Sequence, residues 1–255
     1  MMKQETLTPG EALAVAGAVV QARYPEAAFA YVAGSIMRGQ GTRFSDIDLV
    51  VVFDRLEAAY RESFLVDGVP VEAFVHDPQT LAWFIQEDAK RGRPSMLNMV
   101  VEGVVIGEEG STAQALRDHA SALLAAGPAP LASTALDTLR YEITDALDDL
   151  QGDRPASEIL AIGAMLHPRL VELALRGRGR WYGTGKWAPR LLNELDASLG
   201  DRFDAAFRAL FTGGDTALLI DLAEAELALQ GGRLFDGDRR CAPASWRCTT
   251  WRDQA

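Results

Sequence analysis

The chain is short of the residues that most often announce a chemistry. It has two cysteines and three histidines in 255 residues. Cys241 and Cys248 are separated by six residues, a gap that fits no common zinc spacing, and the pair is expected to be reduced. His76, His119 and His167 carry no partner pattern for nucleophilic or zinc chemistry; His167 precedes Pro168 and predicts a bend or break in a helix. No Ser-His-Asp set, GxGxxG or P-loop occurs. Long apolar runs are missing too: none reaches the roughly 18 residues a membrane span needs. The opening "MMKQETLTPGEALAV" holds acids and a Pro-Gly where a signal peptide needs an unbroken apolar core, so a cytoplasmic location is expected. Basic charge is also scarce. Twenty-five Lys and Arg against 36 Asp and Glu leave a net charge of −11. That balance argues against a nucleic-acid partner, which needs a clustered basic surface. It suits small solutes, cationic ones in particular.

What is present is ordinary globular material, 48% apolar and 24% charged, enough for one large domain or two modest ones. The first half alternates element types. Helical spacing runs over 10–24 and 79–91, and again near 112–126. Short apolar runs at 28–35, 47–53, 69–76 and 103–110 read as strands. The run 47–53 is β-branched and nearly continuous, as in a strand covered on both faces. Residues 69–76 follow Asp67-Gly68, a hairpin turn. "GPAPLAS" at 127–133 reads as a linker. Beyond it strand signals stop, and Leu136, Leu139, Ile143, Leu147 and Leu150 make one helical stripe. Further helices fit 157–175, 187–199, 201–212 and 215–230. The expected architecture is an α/β (α+β) domain with a mixed sheet over 1–127, a helical bundle over 133–235, and an extension over 236–255.

One stretch breaks the apolar pattern. In "YVAGSIMRGQGTRFSDIDLVVVF" (31–53), Asp46 and Asp48 stand at alternate positions beside a buried strand. Residues i and i+2 of a strand share a face, so the two carboxylates point together. They repel unless a cation neutralises them, and a hard oxygen-seeking ion such as Mg²⁺ does so. Glu72, in the apolar run "VPVEAFV", is a third candidate ligand. Three acids from paired strands can hold two ions, the arrangement that clamps attacking and leaving oxygens in phosphoryl transfer. Upstream, Gly34 permits close backbone approach, Ser35 offers a hydroxyl and an amide to phosphate oxygens, and Arg38 lies one turn further. The plainer alternative is a turn before a strand, with Ser45 or Asp46 capping and Asp48 at an exposed strand end.

Gly34-Ser35, a ten-residue gap, Asp46-Ile47-Asp48 with apolar flanks, and Glu72 on the next strand resemble the nucleotidyltransferase signature of the DNA polymerase β superfamily. The form "GS…RG…FSDIDLVV" is similar to the branch of kanamycin and streptomycin nucleotidyltransferases, and the α/β-then-helices layout matches its two-domain plan. The motif-level likeness spans residues 31–75. It implies an enzyme using an NTP and Mg²⁺, with Asp46, Asp48 and Glu72 as catalytic metal ligands. Gly34 and Ser35, with Arg38 and Ser45 beside them, would lie at the triphosphate. ATP would be the co-substrate, a small-molecule hydroxyl the acceptor, and a homodimer is compatible.

In the second half, "RGRGRWYGTGKWAPR" (176–190) is the densest basic segment. Lys186 is a candidate for the β- and γ-phosphates and Arg190 a weaker one; the bland alternative is a solvated loop stiffened by Trp181 and Trp187. A general base is sought among Glu142, Asp145, Asp148, Asp149 and Glu172, each of which better fits a solvated helix face. Competing readings are a nucleotide-binding or toxin–antitoxin-type protein of the same fold, and a protein adenylyltransferase.

Overall fold

The computed structural model describes residues 6–107 and 110–247. The chain divides into two compact units, Met1–Pro130 with Arg178–Gly183, and Leu131–Gly177 with Thr184–Ala255.

The first unit begins with α1 (Pro9–Arg23), started by a capping box in which Thr8 and Glu11 satisfy each other's backbone N–H. Strands β1 (Phe29–Ala33), β2 (Ile47–Val52), β3 (Tyr60–Val66), β4 (Val69–His76) and β5 (Val104–Gly107) form one sheet in the order β3-β4-β2-β1-β5. The sheet is mixed: β2 and β4 run parallel, and every other pair is antiparallel. Asp67 (φ 49°) and Gly68 (φ 84°) turn β3 into β4, the left-handed pair that a two-residue hairpin demands.

Both faces of the sheet are covered, which is why β2 reads as continuous apolar sequence. Ile47, Leu49 and Val51 join Val71, Ala73 and Val75 of β4 and Ala12, Ala16 and Val19 of α1 in one core. Val50 and Val52 join a second core with Tyr31 of β1 and residues of α2 (Pro78–Arg91), α3 (Ser95–Glu102) and α4 (Ser111–Ala126). Trp181 packs against this second core, its indole N–H donating to the Leu124 carbonyl at 3.1 Å. Helix α3 falls where the sequence shows only a glycine-punctuated stretch. Its N-terminus follows Pro94 and has no local side-chain cap. The cap comes from α2: buried Asp88 accepts from the Met96 and Leu97 N–H groups at 2.5 and 3.2 Å, and from Arg91 at 2.8 Å.

The second unit consists of α5 (Ser133–Gln151), α6 (Ala156–Arg176), α7 (Trp187–Leu195), α8 (Ala197–Gly213) and α9 (Ala217–Ala228), followed by one 3-10 turn, Ala244–Trp246. The stripe on α5 is buried at Leu139, Ile143, Leu147 and Leu150. Two expectations are corrected. α6 runs unbroken through Pro168, because Leu166, Leu170, Val171 and Leu173 bury around it and offset the lost N–H. The α7–α8 break falls at Asp196, whose carboxylate caps the Ser198 N–H at 2.8 Å, so α7 stops before residue 199. Cys241 is an exposed free thiol; Cys248 lies outside the described residues.

Candidate metal and nucleotide site

The site is built on the register of β2. Asp46 ends the loop before the strand, Ile47 is buried, and Asp48 lies beside Glu72 in the parallel β2–β4 ladder. One carboxylate oxygen from each of Asp46, Asp48 and Glu72 lies within 4.8 Å of the others, and all three residues are half-buried. Like charges at that separation cost about 1 kcal/mol per pair in water and about 3 at the effective dielectric of a protein surface. The set is therefore unfavourable without a counter-charge.

Two features fit a hard cation. The donors are all oxygens, as Mg²⁺ requires, and oxygens on one such ion stand at most about 4.2 Å apart. A small rotation of the carboxylates suffices to gather them. Gly34, which follows the β1 residue Ala33 paired with Asp48, supplies the room. Its φ is +95°, and a Cβ there would stand 2.1 Å from Asp48 Oδ2. Only glycine leaves the carboxylate that space.

The loop from 34 to 45 is closed by its own hydrogen bonds. The Gln40 N–H donates to the Ser35 carbonyl at 2.9 Å, and the Ser35 hydroxyl to Ser45 Oγ at 3.1 Å. Ser45 Oγ also accepts from the Thr42 N–H at 2.9 Å. Ser35 is buried and Ser45 half-buried, so Ser35, Ser45, Gly34 and the aspartates are brought together. Arg38 lies in the same loop, but its guanidinium is engaged by Glu102 of α3 at 2.7 Å.

Sequence reasoning missed what β3 contributes. Arg61 forms an ion pair with Glu72 Oε1 at 2.8 Å, and Ser63 lies opposite Glu72 in the β3–β4 ladder. A pocket of about 270 Å³ opens there, lined by the polar Asp46, Glu72 and Ser63 and the apolar Phe64, Leu65, Pro70 and Val71. The signal was faint: "YRESFLV" alternates weakly, and only the register shows which of its residues face the acids.

In the second unit, Lys186 sits at the N-cap of α7 and Arg190 stacks its guanidinium 5.3 Å over Trp187. Three of the acids weighed as a base have guanidinium partners: Glu142 with Arg169 at 2.6 Å, Asp148 with Arg233 at 2.5 Å, and Asp149 with Arg154. Asp145 is exposed on α5, and Glu172 lies on α6. His76 and His167 pack edge-on against Phe84 and Phe207. Burial pushes the His76 imidazole down to about 4 and lowers His167 as well.

Among solved structures, a nucleotidyltransferase-like protein from Exiguobacterium sibiricum 255-15 is similar at 13% identity, over 84% of this chain and 74% of that one, with a TM-score of 0.42. That likeness is too low to bear on the function. No curated protein matches the chain. The family model for the nucleotidyltransferase domain matches residues 18–95, the segment that holds Gly34, Ser35, Asp46, Asp48 and Glu72. Residues 18–95 are thus similar to the nucleotidyltransferase domain family, and the acidic site lies inside that match.

Proposed function

We propose that this protein moves a nucleoside monophosphate, AMP from ATP in the first instance, onto a hydroxyl of a small molecule and releases pyrophosphate. The observation that carries the reading is the convergence of Asp46, Asp48 and Glu72 within 4.8 Å, with Gly34 keeping the space beside Asp48 open. These three residues would hold the divalent ions, two Mg²⁺ in the proposal, which supply charge stabilisation at the reacting phosphate when bound. Gly34 and Ser35 bring backbone donors to the triphosphate at the end of β1, and the Ser35 hydroxyl, here donated to Ser45 Oγ, would turn to a phosphate oxygen when the nucleotide binds. Arg38 is a further proposed anion ligand once released from Glu102. Lys186 is a proposed phosphate ligand of the second unit, and Lys186→Ala is expected to raise KM for the nucleotide severalfold.

The acceptor hydroxyl attacks the α-phosphorus, its proton passes to a base, and the bond to the pyrophosphate oxygen breaks. The net charge of −11 favours a cationic acceptor, an aminoglycoside-like polycation among them. The test is incubation with each NTP, Mg²⁺ and a panel of hydroxylated acceptors, read as pyrophosphate release. Nucleotide-dependent release is expected with at least one acceptor. Tight NTP binding without release across a broad panel favours the binding-protein alternative.

A further inference from the structure

The sheet places a permanent positive charge against the acids. Arg61 stands on β3, the edge strand, opposite Phe74 and diagonal to Glu72. Diagonal neighbours on one face lie within reach of long side chains. The Arg61 guanidinium pairs with Glu72 Oε1 at 2.8 Å and hangs 5.9 Å over the Phe74 ring. Its side chain is 61% exposed and that of Glu72 only 23%, so the arginine is the partner free to swing away.

We infer that Arg61 is a positioning residue that stands in for a divalent cation. With no ion bound, it offsets the repulsion among Asp46, Asp48 and Glu72 and holds Glu72 toward the aspartates. When an ion enters, the guanidinium competes with it twice, for the Glu72 lone pairs and through like charge. The site is thereby kept folded when empty, at the expense of cation affinity. This inference rests on the metal reading of the three acids given above. It goes beyond that reading in assigning a role to a residue outside the acidic set.

The competition is measurable without turnover. Wild type, Arg61→Met, Arg61→Gln, Arg61→Lys and Asp48→Asn are titrated calorimetrically with Mn²⁺ alone, and each is melted in EDTA and in Mn²⁺. An exposed ion pair contributes about 0.2–1 kcal/mol, so removing the charge should tighten Mn²⁺ binding by about 1.4- to fivefold. Arg61→Met and Arg61→Gln should also melt lower than wild type in EDTA and gain more from Mn²⁺. Arg61→Lys should restore the wild-type affinity. Unchanged or weaker binding in both neutral variants, with wild type binding normally, overturns the role of Arg61 and leaves the metal site standing. If wild type binds Mn²⁺ no better than Asp48→Asn, the metal reading itself falls, and this inference with it.

Discussion

Two sets of acids stand in this molecule, and they are arranged on opposite principles. On α5, Glu142, Asp148 and Asp149 are spread along a helix, and each meets a guanidinium, from Arg169, Arg233 and Arg154, the last two shared with Glu224 and Glu158. On β2 and β4, Asp46, Asp48 and Glu72 crowd oxygens within 4.8 Å of one another, beside a glycine that cannot accept a Cβ. The first set is a solvated face whose charges are dispersed among surface ion pairs. The second is a concentration of charge that a monovalent side chain relieves only in part. Acidity by itself says little; convergence says that a cation belongs there.

The largest effect expected of this contrast is catalytic. Asp46→Asn and Asp48→Asn should each lower pyrophosphate release about a thousandfold or more, since metal stabilisation of a phosphoryl transition state is worth several kcal/mol. Glu142→Gln and Asp148→Asn should leave it within about threefold, as expected when an exposed pair is worth under 1 kcal/mol. Equal losses from both sets would erase the distinction.

The next effect is on stability and follows pH. His76 is buried and stays neutral in the fold, its pKa pushed down to about 4 from 6.5. The unfolded chain takes up the proton first, so this contribution is intact above pH 6.5 and is lost as pH falls toward 4. The total is about 3 kcal/mol. Urea midpoints at pH 7 and pH 4.5 should differ less in His76→Leu than in wild type.

Gly34→Ala sharpens the account of the crowded site. The added Cβ meets Asp48 Oδ2 and the backbone holds φ at +95°, so a loss of about 1–3 kcal/mol is expected by denaturant titration. A glycine of the same φ sign that meets nothing within 4 Å, such as Gly214, should lose only the conformational part. Smaller still, Asp88→Asn should cost about 1–2 kcal/mol by weakening the charged cap of α3.

Much of the site was legible because it depends on local order. The Asp46-Ile47-Asp48 alternation and the Asp67-Gly68 turn fix faces and a hairpin from neighbouring residues alone. What escaped depends on contacts between elements. Helix α3 borrows its cap from Asp88 on another helix, so no start signal precedes it. Pro168 reads as a bend or break, yet α6 continues through that position among buried leucines. Arg61 reaches Glu72 only by the cross-strand diagonal, eleven positions away in sequence and invisible without the register.

The most direct measurement is a calorimetric titration of wild type and Asp48→Asn with Mg²⁺ in the presence of a non-hydrolysable ATP analogue. The account predicts saturable binding in wild type and a loss of at least about tenfold in the variant, as removal of a metal ligand requires. Identical titrations of the two proteins would contradict it, and would leave the three carboxylates without the cation their geometry asks for.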